Sequence, residues 1–217
     1  MTTPQVAHPT GVRTTWAALA CAAVVAVLGT GVALSWAPQL GWDAAVSRAL
    51  YAGDDRSAWT SGLLETLTAP GLSVVRWLVF APVVVLLLRA GRGRVAAWVT
   101  ISVVGVGPVN AGLKELFGRV RPGFAEGGAQ YGSLSFPSGH SAGVACLVTT
   151  ALLLAGPRLA PVARRWWTAA GVVLVLLVGC TRMWLGVHYL SDVLAGWAVG
   201  VGWTLLVAGW GARWTRG

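Results

Sequence analysis

The chain has 217 residues, 56% of them apolar and only 11% charged, against roughly 45–50% and 25% for an ordinary soluble domain, so a water-soluble globule and a disordered chain are both excluded. With 29 Gly and 13 Trp and a mean hydropathy of +0.69, this is the composition of a helical membrane protein, in which Gly recurs in the spans and Trp gathers at the interface. The net charge of +9 lies in short loops between apolar runs, which points to anionic lipid headgroups and away from nucleic acid.

The first apolar run, Trp16 to Trp36, follows Arg13. It exceeds the apolar region of a signal peptide, about 7–15 residues, and is read as an uncleaved span. The connection from Pro38 to Pro70 carries Trp42, Val46, Ala49 and Leu50, then Trp59, Leu63, Leu64 and Leu67, at helical spacing. It is read either as one or two short helices lying in the membrane interface or as a plain packed loop. Further runs cover Leu72 to Leu88, Val95 to Leu116, Ser141 to Leu154, Trp167 to Val178 and Tyr189 to Trp210. The two short ones reach the roughly 20 residues of a span through weakly polar flanks. The predicted fold is an all-α integral membrane protein, a six-transmembrane-helix bundle forming one domain over residues 1–217. Gly196 and Gly200, a small-xxx-small pair, are read as helix packing within the chain. Cys21, Cys146 and Cys180 each lie inside an apolar run, which suits neither a disulfide framework nor a metal.

With six spans both termini share one side. Arg13, Arg89, Arg92, Arg94, Arg158, Arg164, Arg165, Arg213 and Arg216 form one set of loop charges without an acid, and the other set holds seven cations and all seven acids. The bias of Lys and Arg places the first set, and both termini, in the cytoplasm. The margin widens when Lys114, Arg121 and Arg182 are set aside as site residues.

Ionisable groups in or beside spans are costly and tend to be functional. Here they gather in three places, all on the predicted outer side. Lys114 closes the third span and is followed by Arg121-Pro122; a seven-residue separation returns to nearly the same helical face, about 20° off, while Pro122 marks the helix end near Arg121. Phe136-Pro137-Ser138-Gly139-His140-Ser141 precedes the fourth span. Ser138 is its expected N-cap, the amides after it face an anion with the positive end of the helix dipole, and Gly139 lets the backbone approach closely. Thr181-Arg182 is followed by His188 and Asp192. The last two are four apart, hence neighbours on one helix face, which suits a carboxylate that orients an imidazole. Gly186 offers a turn that ends the fifth span near Arg182 and starts the sixth near His188.

Two Arg, one Lys and helix-start amides make an oxyanion receptor. A carboxylate-braced imidazole is a nucleophile, and a second imidazole can protonate a leaving oxygen. Together these residues suit phosphoryl transfer through a phosphohistidine. A divalent metal is disfavoured, because three cations surround the two His and one Asp.

Lys114-x6-Arg121-Pro122, Pro137-Ser138-Gly139-His140 and Arg182-x5-His188-x3-Asp192 resemble, in order and spacing, the three-part signature of the type 2 phosphatidic acid phosphatase superfamily, in its integral-membrane bacterial branch. Thr181 departs from it, since the family usually has Ser before the Arg, and an altered phosphate contact is expected there. The resemblance implies that His188 attacks phosphorus, Asp192 supports it, and His140 protonates the leaving alcohol and later activates water. It further implies that Lys114, Arg121 and Arg182 hold the phosphate oxygens and that Ser138 and Gly139 complete the cradle, with no metal or cofactor. The implied substrate is a lipid phosphate among membrane lipids: a polyprenyl diphosphate, phosphatidylglycerophosphate or phosphatidate, met at the extracytoplasmic face of a bacterial cytoplasmic membrane. The alternatives are a lipid phosphotransferase using the same intermediate and a non-catalytic lipid-phosphate carrier.

Overall fold

The computed structural model describes residues 11–214. Arg216 and the side chains of Arg13 and Arg213, which enter the charge count above, lie outside the described residues. Every regular element among the described residues is helical: α1 (Gly11–Ala33), α2 (Ala37–Leu50), α3 (Ala58–Thr68) with a single-turn extension (Ala69–Gly71), α4 (Ser73–Arg89), α5 (Gly93–Phe117), α6 (Gly139–Ala155), α7 (Pro161–Trp184) and α8 (Leu190–Trp214). Each of the six predicted spans falls on one of α1 and α4 to α8. Five of these helices, α6 with the single turn that follows it to Arg158, are long and apolar enough to cross a membrane, and α3 with its extension joins α4, across a 41° bend, as a sixth candidate. Alone, α4 has 17 residues, about 25 Å at 1.5 Å per residue, somewhat short of a hydrocarbon core of about 30 Å.

Local chemistry sets the boundaries. Pro161 opens α7 at a first-turn position, where its missing N–H is not needed. The Ser57 side chain caps α3 by accepting from the Thr60 amide at 3.2 Å. Helix α5 stops at Phe117 because Gly118 adopts a left-handed conformation, φ 60°, and its amide donates to the Lys114 carbonyl. The helix therefore ends four residues before Arg121, and Lys114 and Arg121 do not share a helical face as their spacing predicts. Between α7 and α8 the turn falls at Gly186, φ 67°, as expected.

Helices α6 and α8 form the central pair; α1 and α5 flank α8, α4 leans on α5, and α3 and α6 hold α7. The α6–α8 approach depends on two glycines. A Cβ on Gly196 would meet the Ser138 carbonyl oxygen at 2.5 Å, and one on Gly200 the Ala142 carbonyl oxygen at 2.3 Å. The small-xxx-small pair thus packs within the chain, as read from the sequence. Gly196→Ala and Gly200→Ala are each expected to lower stability by about 1–3 kcal/mol through overpacking. Because Gly196 abuts Ser138, Gly196→Ala should also reduce turnover per folded molecule, whereas Gly200→Ala should chiefly lower the melting temperature. Thermal melts in detergent paired with specific activity test this; equal specific activities would show that the Ser138 turn tolerates the shift.

The connection between α1 and α4 is helical, as one of the two readings has it, and the packing of α2 suits a helix lying in the interface. Its buried residues are Gln39, Asp43 and Ser47, spaced as one stripe, while Trp42 is 69% exposed. The polar face turns to the protein and the apolar face turns away from it.

Candidate active site

Because the chain reverses direction from α5 to α6 and from α7 to α8, the end of α5, the start of α6, the end of α7 and the start of α8 meet at one end of the bundle. Helices α2 and α3, between α1 and α4, lie at the same end. All three predicted clusters are therefore brought together, although Lys114 and Asp192 are far apart in sequence. The ammonium of Lys114 is within electrostatic range of Arg121, Arg182 and Asp192, and the imidazole of His140 within range of Arg182, His188 and Arg121.

His188 is buried in the turn before α8, 2% exposed. Its Nε2 lies 3.2 Å from Arg121 Nη1. A guanidinium can only donate, so Nε2 is the acceptor and the ring proton sits on Nδ1, facing Asp192 Oδ2 at 3.4 Å. Burial holds His188 well below the usual imidazole range, an effect that the Asp192 contact opposes only in part. The ring is thus neutral near pH 7, with its Nε2 lone pair turned toward the cations.

Asp192, fully buried, is over-determined. Its Oδ2 also accepts from the Tyr189 amide at 2.9 Å and from the Ser135 hydroxyl, and its Oδ1 accepts from Arg119 Nη1 at 2.8 Å. Its backbone carbonyl receives the Ser138 amide at 2.9 Å. That last bond ties the start of α8 to the cap of α6. Ser138 is the N-cap, as predicted, with its hydroxyl accepting from the Ser141 amide at 3.4 Å. The first intrahelical bond runs from the Ala142 amide to the Ser138 carbonyl, so the amides of Gly139 and His140 belong to the helix-start donors that an anion can use.

The cations are held by neutral oxygens. Lys114 Nζ donates to the carbonyls of Leu134 and Ser135, the latter at 3.2 Å. Arg121 donates to the Val187 carbonyl at 2.9 Å and to the Ser133 carbonyl and hydroxyl at 2.9 and 3.0 Å, and lies over the Tyr131 ring. Arg182 Nη1 reaches the Thr68 hydroxyl at 3.3 Å, and its Nε is buried without a partner. Positive charge thus exceeds negative in this pocket, the condition an anionic ligand relieves. The Thr181 hydroxyl donates to the Val178 carbonyl of its own helix at 2.7 Å.

Sequence reasoning passed over Asp43, Arg76, Arg119 and Ser135. Arg76 on α4 is 4% exposed, donates to the Gly71 carbonyl at 3.1 Å, and lies within electrostatic range of His140. A cation inside the apolar run Leu72 to Leu88 was the available signal for it. Arg119 had the weaker signal of standing two residues before Arg121.

Fold and site together define a helical membrane bundle that gathers three cations, the start of α6 and a carboxylate-braced imidazole at one end. The family model of the PAP2 superfamily matches residues 93–216, and the chain belongs to that superfamily. It is 41% identical over 104 residues to phosphatidylglycerophosphatase B of Bacillus subtilis (strain 168), covering 46% of this chain and 50% of that protein. It is 32% identical over 170 residues to lipid A 1-phosphatase of Rhizobium johnstonii, covering 66% and 65%. The match thus spans half to two-thirds of these relatives' lengths. The crystal structure described as the first transmembrane PAP2 type phosphatidylglycerolphosphate phosphatase, from Bacillus subtilis, superposes with a TM-score of 0.73 at 26% identity, covering 91% of this chain and 97% of that one.

Proposed function

We propose that the protein is a metal-independent lipid phosphate or diphosphate phosphatase working through a phosphohistidine. The observation that carries this reading is the line Arg121 Nη1, His188 Nε2, His188 Nδ1, Asp192 Oδ2. An imidazole lone pair faces a guanidinium that can exchange it for a phosphate oxygen, with a carboxylate behind the ring. Nε2 attacks phosphorus while Arg121, Arg182, Lys114 and the amides after Ser138 hold the non-bridging oxygens. His140, in the first turn of α6, protonates the departing alkoxide, and in the second step takes the proton of the water that splits the phosphoimidazole and releases phosphate. Asp192 already accepts from Arg119, Ser135 and the Tyr189 amide, so its oxygens are engaged by donors rather than open to a divalent ion, which supports the metal-free route.

A lipid substrate is supported by the names of the relatives and by an apolar groove of about 940 Å³ between α1, α5 and α8, lined by Val25, Leu113, Leu116, Phe117, Val199 and Trp203. Its lining includes Leu113, Leu116 and Phe117, at the end of α5 that also carries Lys114, and it can take an acyl or prenyl tail. The candidates remain polyprenyl diphosphate, phosphatidylglycerophosphate and phosphatidate. The arginine bias supports the further reading that both termini are cytoplasmic and the site faces the extracytoplasmic side of a bacterial cytoplasmic membrane, with residues 1–217 acting as one domain.

Phosphate release from these three lipids in detergent, with chelator present throughout, tests the proposal. Activity that vanishes with chelator would remove the metal-free mechanism, and transfer to an acceptor lipid without phosphate release would make the protein a phosphotransferase. The pH dependence follows from burial of His188. Because the free imidazole is held below its ordinary value of about 6.5, it stays neutral as pH falls through 6.5, and the acid limb of kcat/KM is expected well below that. An acid limb at or above pH 6.5 would count against His188 as the buried nucleophile.

A further inference from the structure

Two buried side chains outside the predicted site are tied to Asp192. Arg119 Nη1 donates to Asp192 Oδ1 at 2.8 Å while its Nη2 donates to Asp43 Oδ2 at 2.7 Å. Ser191 bridges the group: its hydroxyl lies 2.7 Å from Arg119 Nη1 and donates to Asp43 Oδ2 at 2.5 Å, and its amide donates to Asp43 Oδ1 at 2.9 Å. The Tyr189 ring covers the guanidinium, with 4.0 Å from its carbon to the ring centroid. The side chains of Asp43, Arg119 and Asp192 are 3%, 8% and 0% exposed.

Both Nη groups of Arg119 are thereby engaged by carboxylates, so Arg119, unlike Arg121 and Arg182, is committed to protein and not to an oxyanion. A guanidinium facing Asp192 alone would cancel much of the carboxylate's field at His188 in a low-dielectric interior. A second carboxylate on the far side of the guanidinium divides that charge. We propose that Asp43 of α2 and Arg119 are a positioning pair that fixes the Asp192 carboxylate and sets how strongly it supports His188. This rests on the reading of His188 as the nucleophile.

The charged and titratable groups around His188 come from several elements: Lys114 of α5, Arg121 of the following loop, His140 of α6, Arg182 of α7, and Tyr189 and Asp192 at the start of α8. Behind them stand Arg76 of α4, in range of His140, and Glu65 of α3, in range of Arg182. Substitution of Asp43 or Arg119 leaves all of these in place. Asp43→Asn removes a negative charge and is expected to lower kcat by about tenfold and move the acid limb of kcat/KM to lower pH. Arg119→Gln removes a positive charge and is expected to move the limb to higher pH. The double variant should return toward the wild-type position, and Arg119→Lys, which keeps the charge, should hold the limb in place.

The position of the limb does not depend on the fraction of molecules that fold, so it separates this role from a merely structural clamp. The wild type and the four variants are assayed in detergent on phosphatidylglycerophosphate. Opposite shifts in the two single variants support the pair. An active wild type with variants whose limbs are unmoved, or move in the same direction, overturns the pair while leaving the phosphatase reading intact. A wild type that releases no phosphate from any of the three candidate lipids overturns the reading itself, and the pair with it.

Discussion

Replacing His188 with alanine is expected to abolish turnover, a loss of about a millionfold on the precedent of removing a catalytic nucleophile, and to leave no acid-labile phosphoenzyme. The expectation follows from the arrangement around Nε2. Arg121, Arg182 and Lys114 are anchored on carbonyls and hydroxyls from Leu134, Ser135, Ser133, Val187 and Thr68, not on His188 alone, so the cradle persists when the ring is gone. Substrate binding should therefore survive within a few-fold while the bond-forming atom is missing. Binding of a lipid phosphate to the variant, measured beside radiolabel trapping in acid-quenched samples, separates the two effects. Undiminished labelling of the His188→Ala protein would reject His188 as the attacking group.

His140→Gln should give the next largest loss, with a different signature. In the proposed role of proton donor to the leaving alkoxide, His140 is expected to contribute about 10²–10⁴-fold with an alkyl ester, but much less when the leaving group is a nitrophenolate that departs unprotonated. The same residue is needed in the second step to activate water. The variant should therefore be strongly impaired on a lipid monophosphate, form phosphoenzyme readily from p-nitrophenyl phosphate, and accumulate it. Burst kinetics with the aryl ester, at one label per active molecule, is the expected result. Equal impairment on both esters without accumulation would remove His140 from the proton-transfer role.

The spans and the signature residues were legible because their signals are local. A run of about 20 apolar residues announces a helix in lipid, and Ser138 caps α6 through the amide three positions on. The turn at Gly186 was legible for the same reason. By contrast, the seven-residue spacing of Lys114 and Arg121 suggested a shared helical face, and the αL conformation of Gly118 breaks the helix between them; tertiary contacts, not helical periodicity, bring the two cations to one pocket. For α2 the helix was one of two readings, but what its polar face meets was not legible. Apolar spacing identifies a face but not what it meets, and beside a membrane the apolar face is free to turn outward, which leaves Gln39, Asp43 and Ser47 for the interior. Asp43, Arg119 and Ser135 escaped notice because their meaning lies in partners 76, 73 and 57 positions away, and no periodicity connects such positions.

The chain of charges at the start of α8 also bears on biosynthesis. Asp43 leaves the ribosome early, whereas the Ser191 backbone that it binds is made 148 residues later. Until the chain has grown past Asp192, at the start of α8, that carboxylate has only part of its eventual company and the His188–Asp192 pair is incomplete. On the proposed mechanism, catalytic competence is thus conferred late in synthesis, after the earlier helices have been made.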